Sequence, residues 1–419
     1  MSKKAPLLTL NSIIFKKYLI ISKIDQGSFG SIYLSKNIIT NENVAIKVEN
    51  RKISNPLLER EAYILFYLKG PGLPEIKSFG KTKDLYILIQ TLLGPSLSNL
   101  LDKHSIKFTV KDISLLSIQM LERLEHVHSK NFIHKDIKPQ NFLMGIKDPQ
   151  MLYLIDFGLA KKYRSKKGKH IKYSICNSIT GTPRYCSISA IKGVEQSRRD
   201  DLESLFYVIM YFFRGNLPWQ NLKIKSREAR FNKINEIKKN ISYKQLCQNL
   251  PKELYELGIY IKNLKFEEDP DYFFMKKCFY SILENINTQN DDIFSWLDKT
   301  GNNPGIKKDA NVSSHICIFR PKNCSHKRLY EKIASSLEKK RRGKSESNII
   351  NNNKTQTQNA TNDDITEKSC YIENNIENIG NIGMINRSNS YMGKILVKHP
   401  NLNKNNYSLI NRIINKNII

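Results

Sequence analysis

Cysteine is scarce in this chain of 419 residues, which contains only seven, and this excludes a fold held together by disulfide bonds. Long apolar stretches are also missing. The longest, Leu205–Phe213, has nine residues, whereas a membrane-spanning helix needs about 20. We therefore expect a soluble protein with free thiols, no membrane span and a cytoplasmic location.

Acidic residues are few relative to basic ones, with 39 Asp and Glu against 68 Lys and Arg, so the formal net charge is +29. Such an excess favours polyanionic partners: nucleic acid, anionic lipid or acidic proteins. The sequence contains no zinc-finger spacing, RNP string or basic zipper, so no specific nucleic-acid binding is expected. The basic run KKRRGK at residues 339–344 is either a solvated linker or a nuclear import signal.

Composition changes near residue 300. Apolar periodicity is dense before this point, whereas 19 of the 72 residues from 348 to 419 are Asn, a bias typical of disordered segments. The sequence therefore predicts four parts, which are an N-terminal extension (1–14), a folded domain (15–299) with lobes at 15–93 and 94–299, a basic linker (300–347) and a disordered Asn-rich tail (348–419).

Two regions differ within the folded part. The first carries the short β-type runs YLIISKID, SIYLSK, NVAIKVEN and DLYILIQT, interrupted by one helical segment at 57–68. The second is helical. Its segment 201–213 is apolar on nearly every face of the predicted helix, a pattern that is typical of a buried central helix. In the segment 109–129, one helix face collects Ile113, Leu116, Met120, Leu124 and Val127. We predict an α+β fold with a small β-rich lobe and a larger α-helical lobe.

Glycines separate the first two predicted strands. Gly27 and Gly30 suit a loop whose backbone N–H groups approach phosphates, and equally a plain hairpin turn. Seventeen residues after Gly30, Lys47 ends the run Val-Ala-Ile-Lys. Because Lys47 stands between Ile46 and Val48 in an apolar strand, we expect it to need an anionic partner.

The most informative stretch is IHKDIKPQNFL at residues 133–143, followed by Asp-Phe-Gly beginning at Asp156. The carboxylate of Asp136 can orient a hydroxyl group and accept its proton, and Lys138 can neutralise charge on a phosphoryl group. Asn141 and Asp156 offer hard oxygen ligands for Mg²⁺. With the glycine loop and Val-Ala-Ile-Lys upstream, this spacing predicts phosphoryl transfer.

At this point the chain resembles the casein kinase I family of eukaryotic serine/threonine protein kinases. The resemblance covers roughly residues 15–299 and implies a bilobal kinase fold with ATP between the lobes. It also implies transfer of the γ-phosphoryl group of Mg·ATP to Ser or Thr of acidic or pre-phosphorylated proteins, by a monomer. The segments that carry it are LLGPSL (92–97), HVHSKNFIHKDIKPQNFLMG (126–145), LIDFGLAKKYR (154–164), EQSRRDDLESLFYVIMYFFRGNLPWQ (195–220), LKFEEDPDYFF (264–274) and DDIFSWL (291–297).

The resemblance assigns residues to the nucleotide. Lys47 would hold the phosphates and pair with a helix glutamate, Glu59 or Glu61. We favour Glu61 because Leu65 and Leu68 then fall at apolar helix positions. Leu92 and Leu93 would meet adenine, Leu143 would line the floor of the pocket, and Gln90 would guard its back. The full predicted ATP set is Ile24, Gly27, Ser28, Phe29, Gly30, Ile32, Lys47, Glu61, Gln90, Leu92, Leu93 and Leu143.

The resemblance also assigns residues to catalysis and substrate. Asp136 matches the catalytic base, assisted by Lys138, and Asn141 and Asp156 match the metal ligands. Thr182 matches the threonine that bonds to the catalytic loop in serine/threonine kinases, and Asp201 the aspartate that supports this loop. Arg184 and Arg230 match a site for a substrate anion.

Several residues depart from the family pattern. Asp25 replaces the first glycine of the phosphate loop, which would add repulsion near a triphosphate, and this keeps a catalytically inactive scaffold open as an alternative. Lys135 replaces the arginine before the catalytic aspartate and loses its bidentate fork. Ser-Ile-Ser at 187–189 stands where most kinases have Ala-Pro-Glu. Further departures are Gln90, Gln140, Pro183 and Phe206.

Two Cys and two His cluster after the folded part. His315 and Cys317, with Cys324 and His326, could hold Zn²⁺, although their spacing is unlike that of common structural zinc sites. We favour free thiols and solvated imidazoles, and expect ATP and Mg²⁺ as the only cofactors.

Overall fold

The β-type runs of the first region form one antiparallel sheet in a computed structural model, which describes residues 7–26, 30–52, 56–165, 167–175, 180–286 and 293–297. The sheet has six strands in the order β1-β2-β3-β4-β6-β5. They are β1 (Ile13–Ile14), β2 (Tyr18–Gln26), β3 (Ser31–Asn37), β4 (Asn43–Asn50), β5 (Ile76–Lys81) and β6 (Leu85–Thr91). Helix α1 (Leu57–Leu68) follows β4 and has the predicted limits.

Strand β5 was not predicted from the sequence. Its residues, IKSFGK, are half-buried or exposed along the whole strand, so they lack the apolar alternation that marks a strand. The strand lies at the edge of the sheet and pairs only with β6 among the described strands.

The two faces of the sheet bury different residues. One face forms its own apolar cluster, which includes Tyr33, Ile46, Val48, Ile87 and Ile89. Residues between these positions point to the opposite face, because side chains alternate along a strand. Lys47 and its cross-strand neighbour Leu88 are on this second face, and Leu88 belongs to the large cluster that continues into the helical region.

The second region is mainly helical. Its helices are α2 (Leu97–Asp102), α3 (Val110–Ser129), α4 (Ile188–Ile191), α5 (Arg198–Arg214), α6 (Arg227–Asn240), α7 (Tyr243–Leu246), α8 (Lys252–Asn263) and α9 (Tyr272–Asn285). Short strands lie beside them, namely β7 (Phe132–Ile133), β8 (Phe142–Met144), β9 (Leu152–Leu154) and β10 (Lys161–Lys162). The predicted α+β class, with a β-rich and a helical part, is thus confirmed.

Helix α3 begins where its sequence predicts. Thr109 accepts a hydrogen bond from the backbone N–H of Asp112, and Asp112 bonds back to the backbone N–H of Thr109, so the two residues form a capping box. All five residues of the predicted apolar face are buried. The other carboxylate oxygen of Asp112 accepts the backbone N–H of Ser295 at 2.7 Å, which ties the C-terminal described segment to the start of α3.

Helix α5 is buried as predicted and carries the unusual Phe206. Its ring is fully buried and stacks on Tyr243, with 5.3 Å between ring centroids. The space for this ring is provided by Gly258 on α8, since a Cβ atom there would lie 2.7 Å from the Phe206 ring and 2.6 Å from the Tyr243 ring. The bulky residue on α5 and the glycine on α8 therefore form one packing unit.

Some predictions fall outside the described residues. These are the phosphate-loop residues Gly27, Ser28 and Phe29, the zinc alternative at residues 315–326, the basic run 339–344 and the tail 348–419. In the part of the chain that the structure describes, no helix is both long and apolar enough to cross a membrane, and no cluster of His, Cys, Asp and Glu has the geometry of a metal site.

Candidate active site

A cleft between the sheet and the helical part is lined by Lys47, Glu61, Asp136 and Asp156. Lys47 connects three separate elements at its centre. Its Nζ lies 2.5 Å from Oε2 of Glu61 on α1 and 3.1 Å from Oδ1 of Asp156. The partner on α1 is therefore Glu61 rather than Glu59. Burial alone would lower the pKa of Lys47, but the two carboxylates raise it above its usual value, so the ammonium group stays charged.

Asp156 adopts a left-handed backbone conformation, with φ 70° and ψ 66°. A non-glycine residue in this region carries strain, and such strain concentrates at functional sites. The next residue, Phe157, is fully buried and packs edge-on against His134, with ring centroids 4.9 Å apart. Although burial acts to raise it, Lys47 holds the pKa of Asp156 below its usual value, so this carboxylate stays ionised.

Asp201, in the first turn of α5, holds the loop that carries Asp136 through hydrogen bonds to its backbone. The two carboxylate oxygens of Asp201 accept the backbone N–H groups of His134 at 2.7 Å and of Lys135 at 2.8 Å. Nε2 of His128 also lies 2.9 Å from Asp201, and burial lowers the pKa of this imidazole, which keeps it neutral. Lys135 has φ 71°, so these bonds hold the loop in a strained turn.

Both carboxylate oxygens of Asp136 have partners. Oδ1 accepts the hydroxyl of Thr182 at 2.8 Å, and Oδ2 forms a short contact with the ammonium group of Lys138. The backbone carbonyl of Asp136 accepts the side-chain amide of Asn141 at 2.8 Å. The structure therefore brings together the three residues that the sequence assigns to catalysis and one predicted metal ligand, Asn141.

The predicted adenine-side residues lie on two segments that pair just after the end of β6. The chain after β6 is bonded to β8, because the N–H of Gly94 donates to the carbonyl of Met144 at 2.8 Å and Ser96 bridges to Leu143. This pairing places Leu92 and Leu93 near Leu143. All three are half-buried.

Three further residues predicted to bind the nucleotide, Ile24, Gly30 and Ile32, lie in or beside strands β2 and β3. Ile32 lies opposite Lys47 in the sheet and shares its face, while Ile24 is half-buried near the end of β2. Gly30 has no room for a side chain, since a Cβ atom would lie 2.0 Å from the carbonyl oxygen of Val48. Asp25 is exposed and accepts the backbone N–H of Gln26 at 2.7 Å.

Gln90 lies on the same face of the sheet, opposite Ala45, which is two residues before Lys47 on β4. The side chain is buried, with 9% of its surface exposed. Its Oε1 has no hydrogen-bond partner among the described residues. A buried acceptor without a partner is uncommon and indicates a place where a ligand can bond.

A basic pocket beside the catalytic loop is filled by a residue that the sequence analysis did not single out. Oε1 of Glu195 lies 3.5 Å from Nζ of Lys135, and Oε2 lies 2.7 Å from Nζ of Lys161. Although partial burial acts to raise it, Lys161 and Lys135 hold the pKa of Glu195 below its usual value. No local pattern predicts this contact, because Glu195 is far from both lysines in the sequence.

The two predicted anion-site residues are in separate places. Arg184 is half-buried, and its guanidinium lies over the ring of Tyr185, 5.8 Å from the centroid. Arg230 is exposed on α6 and donates from Nε and Nη2 to the carbonyl of Ile224. Among the contacts of the described residues, none joins Arg184 to Arg230.

The donor set fits a hard divalent cation. Asp156 offers an ionised carboxylate at the cleft, and the amide nitrogen of Asn141 is already bonded, so its oxygen is the atom left for a ligand. Carboxylate and amide oxygens are the ligands that Mg²⁺ accepts together with phosphate oxygens.

A comparison with protein families agrees with this geometry. The family model described as "Protein kinase domain" matches residues 18–281, which is 264 of the 419 residues.

Proposed function

The chain belongs to the protein kinase family, and we propose that it is a serine/threonine kinase of the casein kinase I type. The proposed reaction transfers the γ-phosphoryl group of Mg·ATP to Ser or Thr of acidic or pre-phosphorylated proteins. One observation carries the proposal: the two oxygens of Asp136 bond to Lys138 and Thr182, the pair that the sequence assigns to a serine/threonine kinase.

ATP would bind between the sheet and the helical part. In this proposal Leu92, Leu93 and Leu143 contact the base, and Lys47 contacts the phosphates while Glu61 fixes its position. Asn141 and Asp156 would hold Mg²⁺, which when bound bridges phosphate oxygens and neutralises charge on the transferred group.

Asp136 would orient the acceptor hydroxyl and receive its proton. Thr182 holds one oxygen of this carboxylate, so that the group has a fixed direction. Lys138 touches the other oxygen and would stabilise the negative charge that spreads over the phosphoryl oxygens. A short Ser or Thr hydroxyl fits between these groups, whereas the longer side chain of Tyr would carry its oxygen past Asp136.

We also propose that activity does not require phosphorylation of the activation segment. In many kinases a phosphate on this segment is gripped by an arginine before the catalytic aspartate. Here the equivalent residue is Lys135, and the carboxylate of Glu195 already lies against it and Lys161. The same glutamate bonds through its backbone N–H to the carbonyl of Ser174, so it connects the catalytic loop with the segment.

The preference for acidic or phosphorylated substrates is supported by charge. Residues 1–300 carry 18 more basic than acidic residues. Arg184 lies two residues after Thr182, which bonds to Asp136, and Arg230 is exposed, so the guanidinium of Arg230 is accessible to a substrate phosphate. Guanidinium groups bond phosphates with short, charge-assisted hydrogen bonds.

The test is phosphorylation of a casein-like acidic peptide by the purified full-length protein with Mg·ATP, and Asp136→Asn serves as the inactive control. Phosphoserine and phosphothreonine should dominate the products. A preparation in which Asp136→Asn is as active as the wild type would refute the mechanism, and products dominated by phosphotyrosine would refute the acceptor class. A fluorescent fusion with and without residues 339–344 would test the proposed cytoplasmic location against nuclear import.

A further inference from the structure

Three backbone carbonyls of one short loop are held by side chains from elsewhere in the helical part. The loop is residues 182–186, Thr-Pro-Arg-Tyr-Cys. Nζ of Lys238 on α6 donates to the carbonyl of Pro183 at 3.1 Å and to that of Cys186 at 2.7 Å. Nε1 of Trp219 donates to the carbonyl of Arg184 at 2.7 Å.

Lys238 is an unusual donor because it is buried, with 2% of its surface exposed. Its ammonium group lies over two aromatic rings, 4.5 Å from the centroid of Tyr207 and 5.0 Å from that of Trp219. No carboxylate of a described residue forms an ion pair with it. Glu203 attracts the charge from beyond ion-pair distance, and the direct contacts of the ammonium group are loop carbonyls and aromatic faces, both of which attract a cation.

The loop connects the catalytic centre to the proposed substrate site. At one end, Thr182 donates its hydroxyl to Asp136. Two residues later is Arg184, the proposed phosphate contact. Lys238 and Trp219 hold the carbonyls of Pro183, Arg184 and Cys186. The positions of Thr182 and Arg184 therefore depend on these two anchors.

The sequence offers a reason for such an anchor. The segment lacks the Ala-Pro-Glu motif of most kinases and has Ser-Ile-Ser at residues 187–189. In its place, a cation from α6 reaches the loop. The neighbouring Lys239 is exposed and touches none of these groups in the described contacts, so the position on the helix is specific.

We propose that Lys238 is a positioning residue that fixes loop 182–186 for the protein substrate. Replacing Lys238 should therefore weaken the use of the protein substrate and leave ATP binding unchanged. This inference rests on the proposed function, since that assigns the loop to the substrate. Loss of the ammonium group leaves the carbonyls of Pro183 and Cys186 without their partner, and the loop relaxes away from the helical part. Hydrogen bonds to charged groups contribute about 1.5–3 kcal/mol, which corresponds to about tenfold to a hundredfold in peptide kcat/KM.

The alternative is that Lys238 only stabilises the core. The two roles differ in what a neutral side chain of similar length should do. Burial lowers the pKa of Lys238 to about 8, so the charge is costly in this place. Methionine fills a similar volume without that cost but leaves the two loop carbonyls without a donor, so a purely structural loss would weaken the use of ATP and of peptide alike. A core role therefore predicts no selective loss of peptide binding.

The experiment uses the full-length protein with Lys238→Met, Lys238→Arg and the control Lys239→Met. Kinetics with an acidic peptide give KM and kcat for peptide and for ATP separately, and thermal unfolding gives Tm. We expect peptide kcat/KM to fall about tenfold to a hundredfold in Lys238→Met, with the KM for ATP within about twofold of wild type. Lys238→Arg, which keeps the charge, should lose less, and Lys239→Met should match the wild type.

The outcomes separate this inference from the proposed function. Peptide kinetics in Lys238→Met that equal those of the wild type overturn the role of Lys238 while the kinase activity stands. Parallel losses for ATP and peptide in both Lys238 variants also overturn it, because they indicate a general structural effect. If Lys238→Met does not fold, Trp219→Phe decides: it keeps an aromatic ring, removes the donor to the carbonyl of Arg184, and should raise the peptide KM alone, whereas an unchanged peptide KM overturns the anchoring of the loop.

Discussion

The carboxylate of Glu195 lies 2.7 Å from the ammonium group of Lys161, and its second oxygen faces Lys135, which directly precedes Asp136, the proposed catalytic base. In the proposed regulation, this carboxylate takes the part of the phosphate that, in many kinases, is gripped by an arginine before the catalytic aspartate. Lysine, unlike arginine, binds as a point charge and has no need of a bidentate partner.

We expect bacterially produced protein to remain active after treatment with phosphatase, because Glu195 supplies the negative charge. Glu195→Gln should lower kcat, since the amide leaves Lys135 and Lys161 without their counter-ion. Glu256→Gln, an exposed glutamate on α8, is the matched control. Loss of most activity on phosphatase treatment, restored by an upstream kinase, would contradict this prediction.

Changing either of two charged groups at the centre of the cleft, Asp156 or Lys47, should abolish catalysis. Asp156→Asn should lower kcat by several orders of magnitude because the proposed metal ligand is lost, and Lys47→Arg should do so by misplacing the phosphates. The control is Lys52→Arg, whose side chain is 81% exposed. Steady-state kinetics that place either variant within about tenfold of wild type, or about 1.4 kcal/mol of barrier, would refute the assignment.

A peptide with phosphoserine three residues before the acceptor should be preferred to its unphosphorylated form. The double variant Arg184→Ala/Arg230→Ala should lose this preference, with turnover of the unprimed peptide largely kept. Lys244→Ala/Lys252→Ala removes two exposed charges elsewhere and serves as the control. The preference should shrink as salt is raised, since exposed charges are screened within about 10 Å at about 0.1 M. An unchanged ratio in the Arg184/Arg230 variant would place the anion site elsewhere.

Because Phe206 packs against Gly258, the effects of substitutions at these two positions on the free energy of unfolding should be strongly coupled. Gly258→Ala should destabilise the protein by about 1–3 kcal/mol, although alanine normally favours a helix, because the added methyl group has no room. In a Phe206→Leu background the cost should be smaller. Denaturant unfolding of the single and double variants measures this, with Glu256→Ala as the control on α8, and additive costs would show that the two residues do not share the space.

The buried Lys238 should make stability depend on pH. Its pKa falls from 10.5 to about 8 on folding, so between these values the unfolded state binds more protons and stability rises with pH. Its charged or titratable neighbours are Glu203, Tyr207 and Cys186; burial raises the pKa of Cys186 to about 11 and that of Tyr207 well above its usual value, so neither of these two titrates in the lower part of the window.

From pH 7 to pH 9.5, the wild type should therefore gain about 1–2 kcal/mol of unfolding free energy relative to Lys238→Met. Urea unfolding at both pH values measures the difference, and Lys239→Met should track the wild type. A difference between wild type and Lys238→Met that does not change with pH would mean that Lys238 keeps its ordinary pKa.

The sequence alone predicts those elements and residues whose position depends on local spacing along the chain. The limits of α1, the buried face of α3 and the set around Asp136 follow from periodicity and from short motifs. Glu195, Lys238 and strand β5 could not be found in this way. The first two act through partners that are distant in the chain, and β5 is a polar edge strand, so only the folded arrangement reveals them.

The unpartnered oxygen of Gln90 also has a consequence for inhibitor design. The casein kinase I family, which the sequence resembles, has methionine at this position, and methionine offers no comparable acceptor. A nucleotide-competitive compound with a hydrogen-bond donor aimed at Oε1 would satisfy a buried group that has no partner in the described part of the chain. Such a bond is worth about 0.5–1.5 kcal/mol, and because the methionine side chain cannot reproduce it, this gain would appear as selectivity for the present protein over kinases with methionine at this position.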